Sequence, residues 1–185
     1  MELKSVVPWG RSLLEYKKMF SLSDSDLHQN ILGCGDGPAS FNAESTALGN
    51  HVVSVDPIYE FSGEQIRARI NDVFPEVMEQ MLQNKDSYVW DSIGSIDELG
   101  KVRMEAMETF LGDYEARKES GKYINGALPE LPFKNKEFDL ALCSHYLFLY
   151  SDHINKEQHI ASMKELCRVA KEIRVYPLLS LDGRK

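Results

Sequence analysis

The 185-residue chain is 43% hydrophobic and 27% charged, which suits one globular domain that buries most of its unfolded surface. Its formal net charge of -8 leaves no basic surplus to displace counterions from a phosphate backbone, so nucleic acid is not an expected partner. Cys34, Cys143 and Cys167 are odd in number and form no C-x-x-C pair, which argues against a disulfide framework or a zinc site and fits a reducing cytoplasm.

Met1 to Gly10 carries no signal pattern, and no run of about 18 apolar residues is long enough to cross a bilayer. Leu13, Leu14, Tyr16, Lys17 and Phe20 hold helical spacing and predict a short helix ended by the polar run from Ser21 to Asp26; residues 1–26 read as an N-terminal helical cap. His28 to Gly33 runs through Ile31-Leu32 into a glycine cluster, with Pro38 placed for the first turn of the next helix. His51 to Asp56 is short and β-branched, as a strand covered on both faces should be, and Pro57 stops it.

Residues 58–121 exceed what a compact α/β connection needs, about 4 to 6 residues plus one helix, and read as a helical insertion. Ile66, Ile70, Val73, Val77, Met81 and Leu82 repeat at helical intervals across Pro75, which is expected to kink or restart the helix. Leu99, Val102, Ala106, Met107, Phe110 and Tyr114 form a second stripe. Tyr123-Ile124 and Phe138 to Cys143 read as strands, Ile160 to Ala170 as a helix and Glu172 to Leu178 as a fifth strand, followed by a polar tail.

Gly33-Cys34-Gly35-Asp36-Gly37 sits where a strand gives way to a helix, so its backbone can turn sharply and approach a ligand. A dinucleotide fingerprint asks for glycine where Pro38 stands, which weakens a pyrophosphate reading. Asp56 ends the second strand, where a carboxylate can accept hydrogen bonds from both hydroxyls of a ribose. Cys34 reads as a small buried residue, since no base nearby in the sequence would make it nucleophilic.

Ile31-Leu32-Gly33-Cys34-Gly35-Asp36-Gly37 resembles motif I of class I S-adenosylmethionine-dependent methyltransferases, and Val52-Val53-Ser54-Val55-Asp56-Pro57 resembles their acidic second strand. Leu131-Pro132-Phe133 followed by Phe138-Asp139 is similar to the stretch entering their fourth strand, and Glu165-Leu166-Cys167-Arg168-Val169 to their last helix. The resemblance implies a Rossmann-like three-layer α/β/α sandwich over the single domain 1–185, with mainly parallel strands in the order 3-2-1-4-5 and a helical insertion after strand 2. The family's C-terminal hairpin is missing, so a further segment or a homo-oligomer contact is expected at the edge of strand 5.

The same resemblance implies S-adenosylmethionine as cofactor and a small-molecule acceptor. Gly33, Cys34, Gly35, Asp36, Gly37, Asp56, Pro57, Ile58, Gly126, Ala127, Leu128 and Ser144 would line the cofactor seat. Leu32 and Ala127 stand where the family carries acids, so backbone amides of Ala127 and Leu128 would meet the adenine edge. His145 is the candidate general base, beside the reading of a packed or hydrogen-bonding histidine. Arg11, Tyr16, Tyr146 and Tyr150 are candidates for the substrate pocket and its lid. The absence of H-E-x-x-H and G-x-S-x-G patterns argues against metal or serine hydrolysis, and no metal is expected. An NAD-dependent oxidoreductase and a cofactor-binding module without transferase activity remain alternatives.

Overall fold

The computed structural model describes residues 7–84, 94–151 and 154–180; parts of the expected cap (1–6), insertion (85–93) and polar tail (181–185) lie outside the described residues. Five parallel strands, β1 (Asn30–Cys34), β2 (His51–Val55), β3 (Tyr123–Ile124), β4 (Phe138–Ser144) and β5 (Ala170–Tyr176), form one sheet in the order β3-β2-β1-β4-β5. The strands are near-continuous apolar runs because both faces are covered. On one face Ile31, Val52, Leu140 and Leu142 pack under α1 (Leu13–Met19), α2 (Asp24–Leu27) and α3 (Phe41–Ala47). On the other, Leu32, Val55, Ala141 and Cys143 pack against Leu128, Leu131, Phe133 and α6 (Lys156–Val169). This is a Rossmann-like three-layer sandwich.

The insertion after β2 is a short 3-10 turn (Pro57–Glu60) and two long helices, α4 (Gly63–Gln83) and α5 (Ile96–Glu119). Pro75 lies inside α4 and does not restart it. Proline costs the helix one bond to the residue four back, but Ile70, Val73, Val77 and Met81 on both sides stay buried and hold the helix in place. Tyr59, Phe110, Tyr114 and Tyr123 form an aromatic cluster with ring centroids 4.9 to 6.0 Å apart. Each such pair contributes about 0.5–1.5 kcal/mol beyond area burial, and the Tyr114 hydroxyl donates to the carbonyls of Tyr59 and Phe61. The cluster anchors the segment that follows Asp56.

Three boundaries differ from the expected ones. The run after Phe20 holds the four-residue α2, because Ser23 and Asp26 cap it reciprocally. Pro38 lies in the loop, three residues ahead of α3. Ala170 belongs to β5, since α6 passes into the strand without a loop. No helix among the described residues is long and apolar enough to cross a membrane.

Candidate functional site

The carboxyl ends of β1 and β4 meet where the chain's winding reverses, the place in an open α/β sheet where a crevice forms. The glycine loop occupies it. Gly35 has φ +72°, and a Cβ there would stand 3.0 Å from the Tyr146 Cβ; Gly37 has φ +52°, with no atom within 4 Å of where its Cβ would point. Both positions favour glycine by conformation, and Gly37 leaves open space above the loop.

Gly33 is needed for a reason other than ligand approach. A Cβ on it would overlap the carboxylate of Asp36, which folds back beneath the loop. There Asp36 accepts hydrogen bonds from the Tyr16 hydroxyl at 2.7 Å and the Ser54 hydroxyl at 2.6 Å. Asn42 donates in turn to Ser54 at 3.1 Å. Gly35 and Gly37, both at positive φ, hold the loop off right-handed helical geometry, and α3 starts at Phe41. Burial pushes the Asp36 carboxyl up to about 7, against the two donors that pull it down and with Asp56 adding to the rise. Leu32 faces the opposite side of the sheet, so Asp36 supplies the carboxylate near the loop that Leu32 cannot.

Asp56 joins the loop to the end of β2. One carboxylate oxygen accepts the Gly37 amide and the other the Ile58 amide, each at 2.9 Å. Each oxygen keeps a free lone pair. Burial raises the Asp56 carboxyl and these two amides lower it, with the rise winning. Tyr59, held in the aromatic cluster, donates to the Gly37 carbonyl at 2.7 Å. Pro57 is exposed and Ile58 half-buried beside it. Gly126 packs against Val55 and Pro132, and a Cβ there would stand 2.9 Å from the Val55 side chain. Ala127 is exposed, Leu128 is buried, and the Ala127 carbonyl accepts the Glu130 amide at 3.1 Å, closing a turn beyond β3.

Across the crevice, His145 has φ +51°, a conformation that costs a residue with a Cβ about 1–3 kcal/mol. Its amide donates to the Tyr176 carbonyl at 2.6 Å, and its Nδ1 is 2.9 Å from the Ser144 hydroxyl. Burial, then Arg11 and Arg103, push the imidazole down to about 2, so it is neutral. Ser144 also acts on the Tyr16 hydroxyl, lowering it against the rise from burial and Asp36, so the buried hydroxyls of Tyr16 and Ser144 lie between Asp36 and His145. Tyr146 is half-buried against Gly35.

Two expected lid residues are not on a lid. Tyr16 is 1% exposed and stacks on Phe41 within the core, because its hydroxyl reaches Asp36. Tyr150 is 5% exposed and bonds the Val7 amide. The segment that does cross the loop is 7–12: Val7 and Trp9 pack on α4 and α5, Gly10 lies too close to Pro38 to carry a side chain, and the Arg11 main-chain carbonyl accepts the Ser40 amide. Cys34 and Cys143 are free thiols in register across β1 and β4, and the neighbouring Cys143 and burial push the Cys34 thiol up, away from the thiolate a nucleophile needs. Among the described residues no group of three His, Cys, Asp or Glu side chains is placed to hold a metal ion.

With this geometry in view, the chain is 34% identical over 187 residues to uncharacterized protein MJ0045 of Methanocaldococcus jannaschii, across 100% of its own length and 83% of that protein's. It belongs to that archaeal protein's family. No protein-family model matches it.

In this family member several site residues escape a reading of sequence alone. Ser54 had a signal, being the one buried polar residue of β2, set among Val52, Val53 and Val55. Arg103 had one as well, since it falls on the buried stripe of α5 between Leu99 and Ala106. Tyr59 and Glu15 had none.

Proposed function

We propose that the chain is an S-adenosylmethionine-dependent methyltransferase for a small-molecule acceptor, with the cofactor over the carboxyl ends of β1 and β2. The observation that carries this reading is the join between Gly37 and Asp56. A carboxylate at the end of β2 clasps the loop by an amide and keeps lone pairs for two hydroxyls, while the space outside Gly37 is clear. Asp56 would hold the ribose, the 33–37 backbone the amino-acid tail, and Ile58 with Gly126, Ala127 and Leu128 the adenine.

Asp36 is turned beneath the loop and keeps its proton up to about pH 7, which leaves Asp56 as the carboxylate bordering the crevice, where a diphosphate would meet like charge and a sulfonium opposite charge. That favours this cofactor over a nicotinamide dinucleotide. When bound, the cofactor supplies an electrophilic methyl group. The protein's own part is then to hold an acceptor nucleophile in line from the side of β4, which alone lowers the barrier substantially. His145 enters neutral, with Nδ1 engaged by Ser144, and its Nε2 takes a proton where the acceptor must lose one. The weak basicity of that imidazole favours one second reading, a module that binds the cofactor and transfers nothing.

Calorimetric titration with S-adenosylhomocysteine and with NADH tests the assignment. Asp56→Asn is expected to weaken S-adenosylhomocysteine by about 1.5–3 kcal/mol, the worth of hydrogen bonds to a charged acceptor. Tighter binding of NADH, or an unchanged dissociation constant in the variant, sinks the reading. Binding without turnover across a broad acceptor panel leaves the non-transferring module.

A further inference from the structure

The half of the crevice over β4 and β5 carries the opposite charge from the half over β2. Two guanidiniums, Arg11 and Arg103, share the single carboxylate of Glu15, leaving a formal surplus of one positive charge. The sharing is unequal. Arg103, 3% exposed, grips both Glu15 oxygens at 2.6 and 2.7 Å, and Ser12 donates its amide to the same carboxylate at 2.9 Å. Glu15 is thereby saturated.

Arg11 is left with one contact of 3.4 Å to Glu15, although only 22% of its side chain is exposed. The buried Nε of Arg103 has no partner at all. A mostly buried guanidinium with most of its donors unspent is costly unless a ligand completes it. Its fixed fork of donors matches a carboxylate or phosphate. The Arg11 carbonyl accepts the Ser40 amide at 3.1 Å, which places Arg11 beside the end of the glycine loop, and its charge acts on His145 and Tyr176 at the ends of β4 and β5.

We propose that Arg11 seats an anionic group, a carboxylate or phosphate, carried by the acceptor. The word acceptor rests on the methyltransferase reading; the anion seat itself does not. The charge of Arg11 reaches His145, so an acceptor held at Arg11 by its acid lies within electrostatic range of the imidazole. Burial is the main suppressor of His145 basicity and the charges of Arg11 and Arg103 add to it; an anion on Arg11 offsets one of those two charges.

Calorimetry on the full chain, with and without saturating S-adenosylhomocysteine, compares benzoate and phenyl phosphate with neutral benzamide and phenol. The acids are expected to bind at least about tenfold more tightly than their neutral counterparts, the scale of one charge-assisted contact. Arg11→Gln removes that preference and Arg11→Lys keeps part of it, with S-adenosylhomocysteine affinity unchanged in both. In the unsubstituted protein the His145 imidazole resonances shift with benzoate and not with benzamide, a readout that needs no variant to fold.

Equal binding of acids and neutrals, no binding of either acid, or an unmoved His145 signal overturns the proposal. So does an Arg11→Gln protein that loses affinity for S-adenosylhomocysteine but not for its decarboxylated analogue, because Arg11 then belongs to the cofactor's tail. If the acids are preferred while S-adenosylhomocysteine does not bind, the methyltransferase reading fails and the anion seat stands.

Discussion

Asp36→Asn removes a buried charge while keeping the shape of the side chain, and its effect on stability depends on pH in a direction the structure dictates. Asp36 is 6% exposed, and burial pushes its carboxyl from 3.8 up to about 7. The folded chain therefore keeps this proton up to about pH 7, whereas the unfolded chain releases it near pH 4. Its contribution to stability is full below the unfolded value and is lost as pH rises through the folded one. At about 1.36 kcal/mol per pH unit, the window between 3.8 and about 7 amounts to about 4 kcal/mol. The amide oxygen still accepts from Tyr16, and the Ser54 hydroxyl can turn to accept from the amide nitrogen. Urea unfolding of both proteins at about pH 4.5 and about pH 8.5 measures the effect. Relative to the parent, the variant is expected to gain about 3 kcal/mol between the two conditions, since part of the window already lies below about pH 4.5. The same offset at both pH values would refute the reasoning, because Asp36 would then ionise as it does in the unfolded chain.

Gly33→Ala is expected to cost about 1–3 kcal/mol or more by driving the Asp36 carboxylate off its donors. In an Asp36→Ser background the cost should shrink, and a double-mutant cycle in urea reads the coupling. Arg103→Met should cost about 3–5 kcal/mol near neutral pH by stranding Glu15. Burial raises the Glu15 carboxyl but the Arg103 hydrogen bond and charge lower it further, so the net value is depressed and this loss should fade as pH falls through it. Phe110→Ala, at a side chain 0% exposed, should cost about 3–5 kcal/mol. By loosening Tyr59 it should also speed exchange of the Gly37 amide, which hydrogen-exchange NMR detects.

Read alone, the sequence determines the strands, because β1, β2 and β4 are apolar runs too short for helices, and only a parallel sheet covered on both faces stores such runs. It also determines that a glycine loop and the Asp56 carboxylate sit at neighbouring strand ends, since both are tied to strands that pair residue by residue. The stripes of α4 and α5 are legible for the same reason: periodicity reports which face is buried. Periodicity does not report partners. Asp36 could equally have faced the crevice; what turned it inward were Tyr16, 20 positions before it, and Ser54, 18 after it. The pairing of Glu15 with Arg103 spans 88 positions and leaves Arg11 nearly free. Those choices follow from competition among donors brought together only when helices α1 and α5 close over the sheet. The positions of charge and donors in the crevice are thus a property of the tertiary structure, while the crevice's place is a property of the sequence.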